Sequence, residues 1–380
     1  MRVRGAWGLA LLGALGCATA APPPEPAVAP APPAASTPPA PESQRGQLLR
    51  PDQIFEILEQ SKIAYDLDSE ASVPPTRLVD ATELPVPRSR PVDAYIEVRA
   101  DGDGPRKVES RYPPPEIAEL FGRASDAFAA ERWDEARALY QAAIEVAPGY
   151  FKTYTYLGNT LLRLGAFAEA EATLQKALSL NPSDYQALIF LGDTYFETGQ
   201  FARAKGVLLR AFVLNRGSDA VEQRLDATLA KLDLKRRDGR LAPPFRVERT
   251  DEMKVSLRFD GERGMRWLAM AACMACWTYE DGCRSRSPEA DDPLHLAMFR
   301  ECLVNQAASV AIRRDEHPEA VGEDEARLLA SIEDGFLEAI IFWEVVGETA
   351  PLVIYLLPEA VQADIVRYIE RHLLVSTRLI

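Results

Sequence analysis

The sequence predicts a mainly α protein: a helical-repeat array of three units with a capping helix, then a small disulfide-containing helical domain, with minor β structure at 93–111 and 245–259. Three observations predict it. Three stretches, 117–150, 151–184 and 185–218, align on a 34-residue period. The columns that recur in this alignment are small, aromatic or proline. Four cysteines, Cys273, Cys276, Cys283 and Cys302, crowd one region of the remaining chain.

The period is read column by column. Leu157-Gly158 aligns with Leu191-Gly192, Ala136 with Ala170 and Ala204, Ala143 with Ala177 and Ala211, and Trp133 with Phe167 and Phe201. Pro148 and Pro182 share a column that Arg216 breaks. Small residues suit the crossing of two antiparallel helices, where a larger side chain would push the axes apart. Proline ends the second helix because it has no N–H to continue the ladder. Arg123 and Ala124 replace Leu-Gly in the first unit, so its opening helix is the weakest match.

A helix–turn–helix unit of this length with these columns resembles the tetratricopeptide repeat. The resemblance covers 117–218, about a quarter of the chain, and is strongest over 151–184. It implies a superhelix whose concave face is lined by the first helix of each unit. Carried over position by position, that face holds Phe121, Ser125 and Phe128, then Lys152, Thr155, Asn159, Leu162 and Arg163, then Gln186, Ile189, Asp193, Phe196 and Glu197. Some members of the family grip a C-terminal carboxylate with Lys, Asn and Arg. Those columns here hold Phe121, Ser125, Tyr156, Gln186 and Phe190, so no such clamp is present. An aromatic and aliphatic face suits an amphipathic helix or extended apolar peptide from a partner protein. The alternative occupant is a segment of this chain, such as the helix at 51–65 or part of the tail. Val221, Leu225, Thr228, Leu229 and Leu232 mark a capping helix within 219–240, which a repeat array needs on its open end.

The N-terminal residues point to export. Arg2 and Arg4 precede an uncharged apolar run, Gly5 to Gly16, which is too short to span a bilayer and reads as a signal peptide over 1–16. Ala14-Leu15-Gly16-Cys17 resembles a bacterial lipobox, which implies lipidation of Cys17. Ala18 after the cysteine implies outer-membrane rather than inner-membrane retention, facing the periplasm. Residues 17–43 form a linker after the cysteine, and 21–43 are mostly Ala and Pro and read as an extended spacer. Residues 44–116 begin with a helix expected over Pro51–Tyr65. A proline-rich loop over 73–92 and a hairpin, Ala94–Arg99 with Lys107–Arg111, follow. A second strand pair, Phe245–Glu248 and Lys254–Phe259, follows the repeats; one sheet shared with the hairpin is the less favoured arrangement.

The formal charge of −14 excludes a nucleic-acid binder, whose phosphate contacts need a basic surface. The acidity is local: 281–380 holds nineteen Asp and Glu against nine Lys and Arg. A basic stretch, Lys231 to Arg240, is expected to end the capping helix and complement its dipole. Its alternative is docking on the acidic tail.

The four cysteines of 241–380 are even in number in an exported chain, which argues for two disulfides. Helices are expected over 262–280 and from Asp292-Pro293 to Ile312. Cys273 and Cys276 lie three apart on one helical face and cannot easily bond each other. The favoured pairing is therefore Cys276 with Cys283 and Cys273 with Cys302. Four-thiolate zinc and a redox C-x-x-C are the competing readings. Further helices are expected over Glu323–Val346 and from Pro358, with a buried apolar run at Pro351–Leu357.

His295, His317 and His372 fall in no metal-ligand or catalytic pattern, and there is no phosphate loop or dinucleotide glycine pattern. The expectation is a non-catalytic protein with no cofactor or metal. It would be a membrane-anchored periplasmic lipoprotein acting as an interaction scaffold or assembly factor in the cell envelope. The alternative is an envelope enzyme or thiol-redox protein with its active part in 245–380.

Overall fold

The computed structural model describes residues 48–70, 72–74, 94–99, 106–237, 239–287, 294–347 and 350–378. The signal segment, Cys17, the Ala/Pro spacer, most of the 73–92 loop and Asp292-Pro293 lie outside the described residues.

In chain order, α1 (Pro51–Glu59) precedes strands β1 (Ala64–Glu70), β2 (Ile96–Arg99) and β3 (Lys107–Ser110). Helices α2 (Pro115–Ala129), α3 (Trp133–Val146), α4 (Phe151–Arg163), α5 (Phe167–Leu180), α6 (Tyr185–Glu197), α7 (Phe201–Leu214) and α8 (Asp219–Ala230) follow. Strands β4 (Leu234–Arg236), β5 (Phe245–Asp251) and β6 (Lys254–Asp260) lead to α9 (Gly261–Met265), α10 (Leu268–Tyr279), α11 (Asp281–Arg284) and α12 (Leu296–Glu316). The tail holds α13 (Glu323–Glu333), α14 (Leu337–Ile340), α15 (Val353–Leu356), α16 (Glu359–Tyr368) and β7 (Leu374–Ser376).

The chain divides into two compact units. One combines α1 and β1 with residues 243–309, and the other combines the β2–β3 hairpin and the repeats with residues 310–380. Residues 243–309 and 310–380, read from the sequence within one domain, thus fall in different units. The two parts offer their apolar faces to different elements.

In the first unit, α10 is apolar on every side, with Ala269 to Trp277 all buried. Such a helix needs cover all round, and α1, β5, β6 and α12 supply it. The sheet order is β1-β6-β5, with β1 parallel to β6 and β5 antiparallel to it. Among the described residues β2–β3 and β5–β6 belong to separate sheets, and β6 pairs its other edge with β1. The helix expected to reach Tyr65 stops at Glu59. Ser61 turns the chain there, its Oγ accepting from the Ile63 N–H and donating to Glu280 at 2.6 Å. Cys273 bonds Cys302 and Cys276 bonds Cys283, with Cα atoms 5.3 and 5.8 Å apart, joining α10 to α12 and to α11. All four sulfur-bearing side chains are buried. Glu301, also buried, is held by Arg286 at 3.2 Å and by the Trp277 indole N–H, and accepts from the Leu49 backbone.

The second unit is built on the array. Each Ala of the two small columns, Ala136, Ala170, Ala204, Ala143, Ala177 and Ala211, is fully buried. A Cβ on Gly158 would lie 2.5 Å from Leu174 Cγ, and one on Gly192 would lie 2.6 Å from Leu208 Cγ, so glycine sets the helix spacing in both units. The first unit resolves its departure differently: Ala124 is buried, and Tyr140 stands in the column of Leu174 and Leu208. The inter-helix turns need the left-handed region. Gly165 and Gly199 take it at φ 72° and 71°, whereas Glu131 does so in the first unit at φ 58°.

Arg216, which breaks the proline column, has a tertiary role. Its guanidinium lies 4.2 Å from the Trp343 ring and donates to the Trp343 carbonyl, while Phe212 meets Trp343 edge-on at 5.1 Å. The tail thus docks on α7. Helix α13 ends before Gly335 (φ 85°), and Ile341–Val346 is wound as a π-helix, so the helix expected over Glu323–Val346 is two segments. Buried Glu344 is paired with Arg327 at 2.6 Å and accepts from Tyr368. The capping helix stops at Ala230, and most of the basic stretch does not extend it: Leu234–Arg236 pairs antiparallel with Leu374–Ser376, and Arg237 meets Glu323 at 3.2 Å. That part of the stretch docks on the tail rather than neutralising a helix end. No helix among the described residues is long and apolar enough to cross a membrane.

Candidate functional site

The first helix of each repeat presents its residues in columns along one face, and the structure treats the two ends of that face differently. At the near end Lys152 and Thr155 are fully buried. Lys152 Nζ lies 2.6 Å from Asp184 Oδ1 and 3.0 Å from Gln186 Oε1, and Thr155 Oγ1 donates to Asp184 Oδ2 at 2.5 Å. Asp184 also caps α6 by accepting from the Gln186 N–H. One carboxylate therefore ties α4 to α6 and starts α6, which compensates its own burial. Phe121 is buried among Tyr140, Tyr150 and Tyr156, at ring distances of 5.6 to 5.8 Å. Ser125 is bonded to Tyr140 at 3.1 Å, Phe128 stacks edge-on against Trp133, and Ile189 is buried.

This end is covered by the β2–β3 hairpin, and the tail packs on that hairpin, with Arg106 Nη1 donating to the Leu357 carbonyl at 2.7 Å. The Tyr95 ring packs on the core of the first two repeats, 6.0 Å from Lys152 Nζ. Asn181 Nδ2 donates to the Ile96 carbonyl at 2.9 Å, and the Tyr150 hydroxyl donates to the Arg111 carbonyl at 3.1 Å. The Tyr156 phenol is raised well above its ordinary pKa by burial, with Tyr95 adding to the shift.

At the far end the face opens into a cleft of about 540 Å³. It is lined by Leu162, Arg163, Asp193, Phe196 and Glu197 of the expected set, together with Gly165, Phe167, Arg224, Ala227 and Thr228. Leu162 and Phe196 are half-buried, and Arg163 and Glu197 are exposed at the rim. The Arg224 Nε–H is shared between both carboxylate oxygens of Asp193 at 3.0 Å. Burial raises the Asp193 carboxyl above its ordinary pKa, against the pull of Arg224. One turn before Leu162, on the same face of α4, Asn159 is only 6% exposed and its Oδ1 has no hydrogen-bond partner. An unmet buried acceptor costs free energy until a donor reaches it.

Reading α8 only as a cap leaves out Arg224, Ala227 and Thr228. The signal was present: one more 34-residue step puts Leu225 in the column of Leu157 and Leu191, and Ala227 in that of Asn159 and Asp193. The capping helix α8 thus packs where a further first helix would lie and lines the same face, although strand β4 rather than a second helix follows it.

Residues 121–184 and 161–223 each match a family model for the tetratricopeptide repeat. This block is a tetratricopeptide repeat array. Solved structures similar to the chain include the Sgt2 tetratricopeptide domain from Aspergillus fumigatus (25% identity, 32% of this chain and 81% of that one, TM-score 0.30). They also include the TPR2B-domain:pHsp70 complex of yeast Sti1 (24%, 30% and 97%, 0.29) and a thermophilic tetratricopeptide protein of Thermus thermophilus (16%, 57% and 99%, 0.29). A search of curated proteins finds no match.

The histidines stay apart. His317 is exposed beside Glu319, and His372 lies 3.0 Å from Asp334 with burial lowering its pKa. Among the described residues no group of His, Cys, Asp and Glu could hold a metal ion. Cys273 and Cys276 are each bonded elsewhere, so the C-x-x-C pair is not itself a disulfide.

Proposed function

We propose that this protein is a membrane-tethered interaction scaffold of the bacterial cell envelope that docks a segment of a partner protein in the far half of its concave face. The observation that carries the reading is the cleft between α4, α6 and α8, with apolar Leu162 and Phe196 beside the Asp193–Arg224 pair. An extended or helical peptide would place an apolar side chain against Leu162 and Phe196. Its backbone N–H would meet Asn159 Oδ1. Rim charges Arg163 and Glu197 would set register more than affinity.

The envelope setting is supported by the signal-like run ending at Cys17, which would carry the lipid, and by the Ala/Pro spacer after it. Two buried disulfides agree with an oxidising compartment such as the periplasm. Outer-membrane attachment follows from Ala18 in the same reading. The role is non-catalytic, needing no cofactor. Burial of all four sulfurs supports stapling of α10, α11 and α12 over thiol exchange, which needs an accessible sulfur.

Affinity capture from the native envelope tests this. The native protein is expected to retain a partner that a Leu162→Asp, Phe196→Asp variant loses. Retention of the same partners by the variant would refute the assignment of the cleft.

A further inference from the structure

The hairpin on the near half of the concave face is an unusual occupant. It is short, with four-residue strands in the register Ile96↔Ser110 to Arg99↔Lys107. A two-stranded hairpin is at best marginally stable alone, so this one depends on what it lies against. The array does not depend on it in the same way. Lys152, Thr155, Asp184 and Gln186 satisfy one another within α4 and α6, and the small columns close the helix pairs without any strand.

We propose that the β2–β3 hairpin is a displaceable strap, an intramolecular ligand that closes the first two repeats and limits the resting docking site to the far half. Tyr95 is its key, seated on the repeat core beside Lys152. The Asn181 amide on the Ile96 carbonyl and the Tyr150 hydroxyl on the Arg111 carbonyl are its backbone latches to the array, and Arg106, just before β3, is tied to the tail at the Leu357 carbonyl, a bond that release must also break. Both latches hold backbone carbonyls, as a groove would hold any extended peptide, so they are reusable by a competitor. A partner segment confined to the Leu162–Phe196 cleft binds with the strap in place. A longer one must displace Tyr95, and strap release then doubles as a selector for partner length. The selector role rests on the docking reading above; the strap itself does not.

The test is amine labelling of the full chain with an acylating reagent, read by mass spectrometry. In the native protein Lys152 should react at least about tenfold more slowly than exposed Lys231 and Lys235. In Tyr95→Asp its rate should rise at least about tenfold while α4 to α7 keep their backbone hydrogen-exchange protection. Tyr95→Phe keeps the ring and should behave as native. Unchanged Lys152 labelling in Tyr95→Asp, or loss of protection in α4 to α7 together with the hairpin, would overturn the proposal. Should Tyr95→Asp fail to fold, native-state exchange decides. Amides over 96–99 and 107–110 should open while α4 and α6 stay protected, and opening only in step with those helices would refute a strap. Because labelling needs no partner, failure of the strap and failure of the docking site are read separately.

Discussion

The two halves of the concave face carry comparable residue types and end up with opposite fates. The near half buries a Lys–Asp pair completely, under a hairpin and beside a cluster of tyrosines. The far half leaves an Arg–Asp pair partly exposed in an open cleft. Side-chain exposures of 0% and 1% for Lys152 and Asp184, against 36% and 26% for Arg224 and Asp193, measure the contrast. Similar charge pairs therefore do different work: the first specifies packing, and the second shapes a surface a partner can reach.

The largest expected effect breaks the buried pair. Lys152→Met leaves Asp184 charged and buried without its ammonium, which costs about 3–5 kcal/mol. Arg224→Met, at the exposed pair, should cost about 1 kcal/mol or less. Guanidinium unfolding followed by hydrogen exchange in α4 and α6 separates the two, and equal losses would erase the distinction. Next in size is spacing. Gly158→Ala pushes a Cβ against Leu174 and should cost about 1–3 kcal/mol by overpacking, with Gly192→Ala similar against Leu208.

A smaller effect of opposite sign is expected at Glu131. It occupies the left-handed position that glycine takes in the next two units, so Glu131→Gly should stabilise the array by up to about 1 kcal/mol. Thermal unfolding checks the sign. The smallest effect concerns Asp193. Its folded pKa lies above the unfolded value because burial disfavours the anion. The contribution of this group is then most favourable at low pH and is lost as pH rises through the raised value. Relative to Asp193→Asn, the native protein should lose stability from about pH 4 upward, as comparative melts across that range would show.

Much of this was legible in the sequence, for identifiable reasons. The repeat columns were readable because helix crossings accept only small residues there, and the disulfide pairing because Cys273 and Cys276 share a helix face. The strand pairs at 96–110 and 245–260 were readable from alternation, but not their partners. Parallel pairing of β1 with β6 joins segments far apart in the chain, and nothing local in Ala64–Glu70 announces it. The closure of half the concave face was hidden for the same reason. Lys152 reads as a solvent-facing charge until Asp184 and Tyr95 are brought against it. Arg216 looked like a defect in the proline column, yet it is the residue that seats Trp343.

The most direct test of the central claim places a photo-crosslinking phenylalanine analogue at Phe196 and, separately, at Tyr156, in cells of the native host. Phe196 should yield an adduct with a partner protein, while Tyr156 should yield mainly internal adducts with the hairpin. No partner adduct at Phe196, or partner adducts at Tyr156 that exceed those at Phe196, would contradict the division of the face into a closed and an open half.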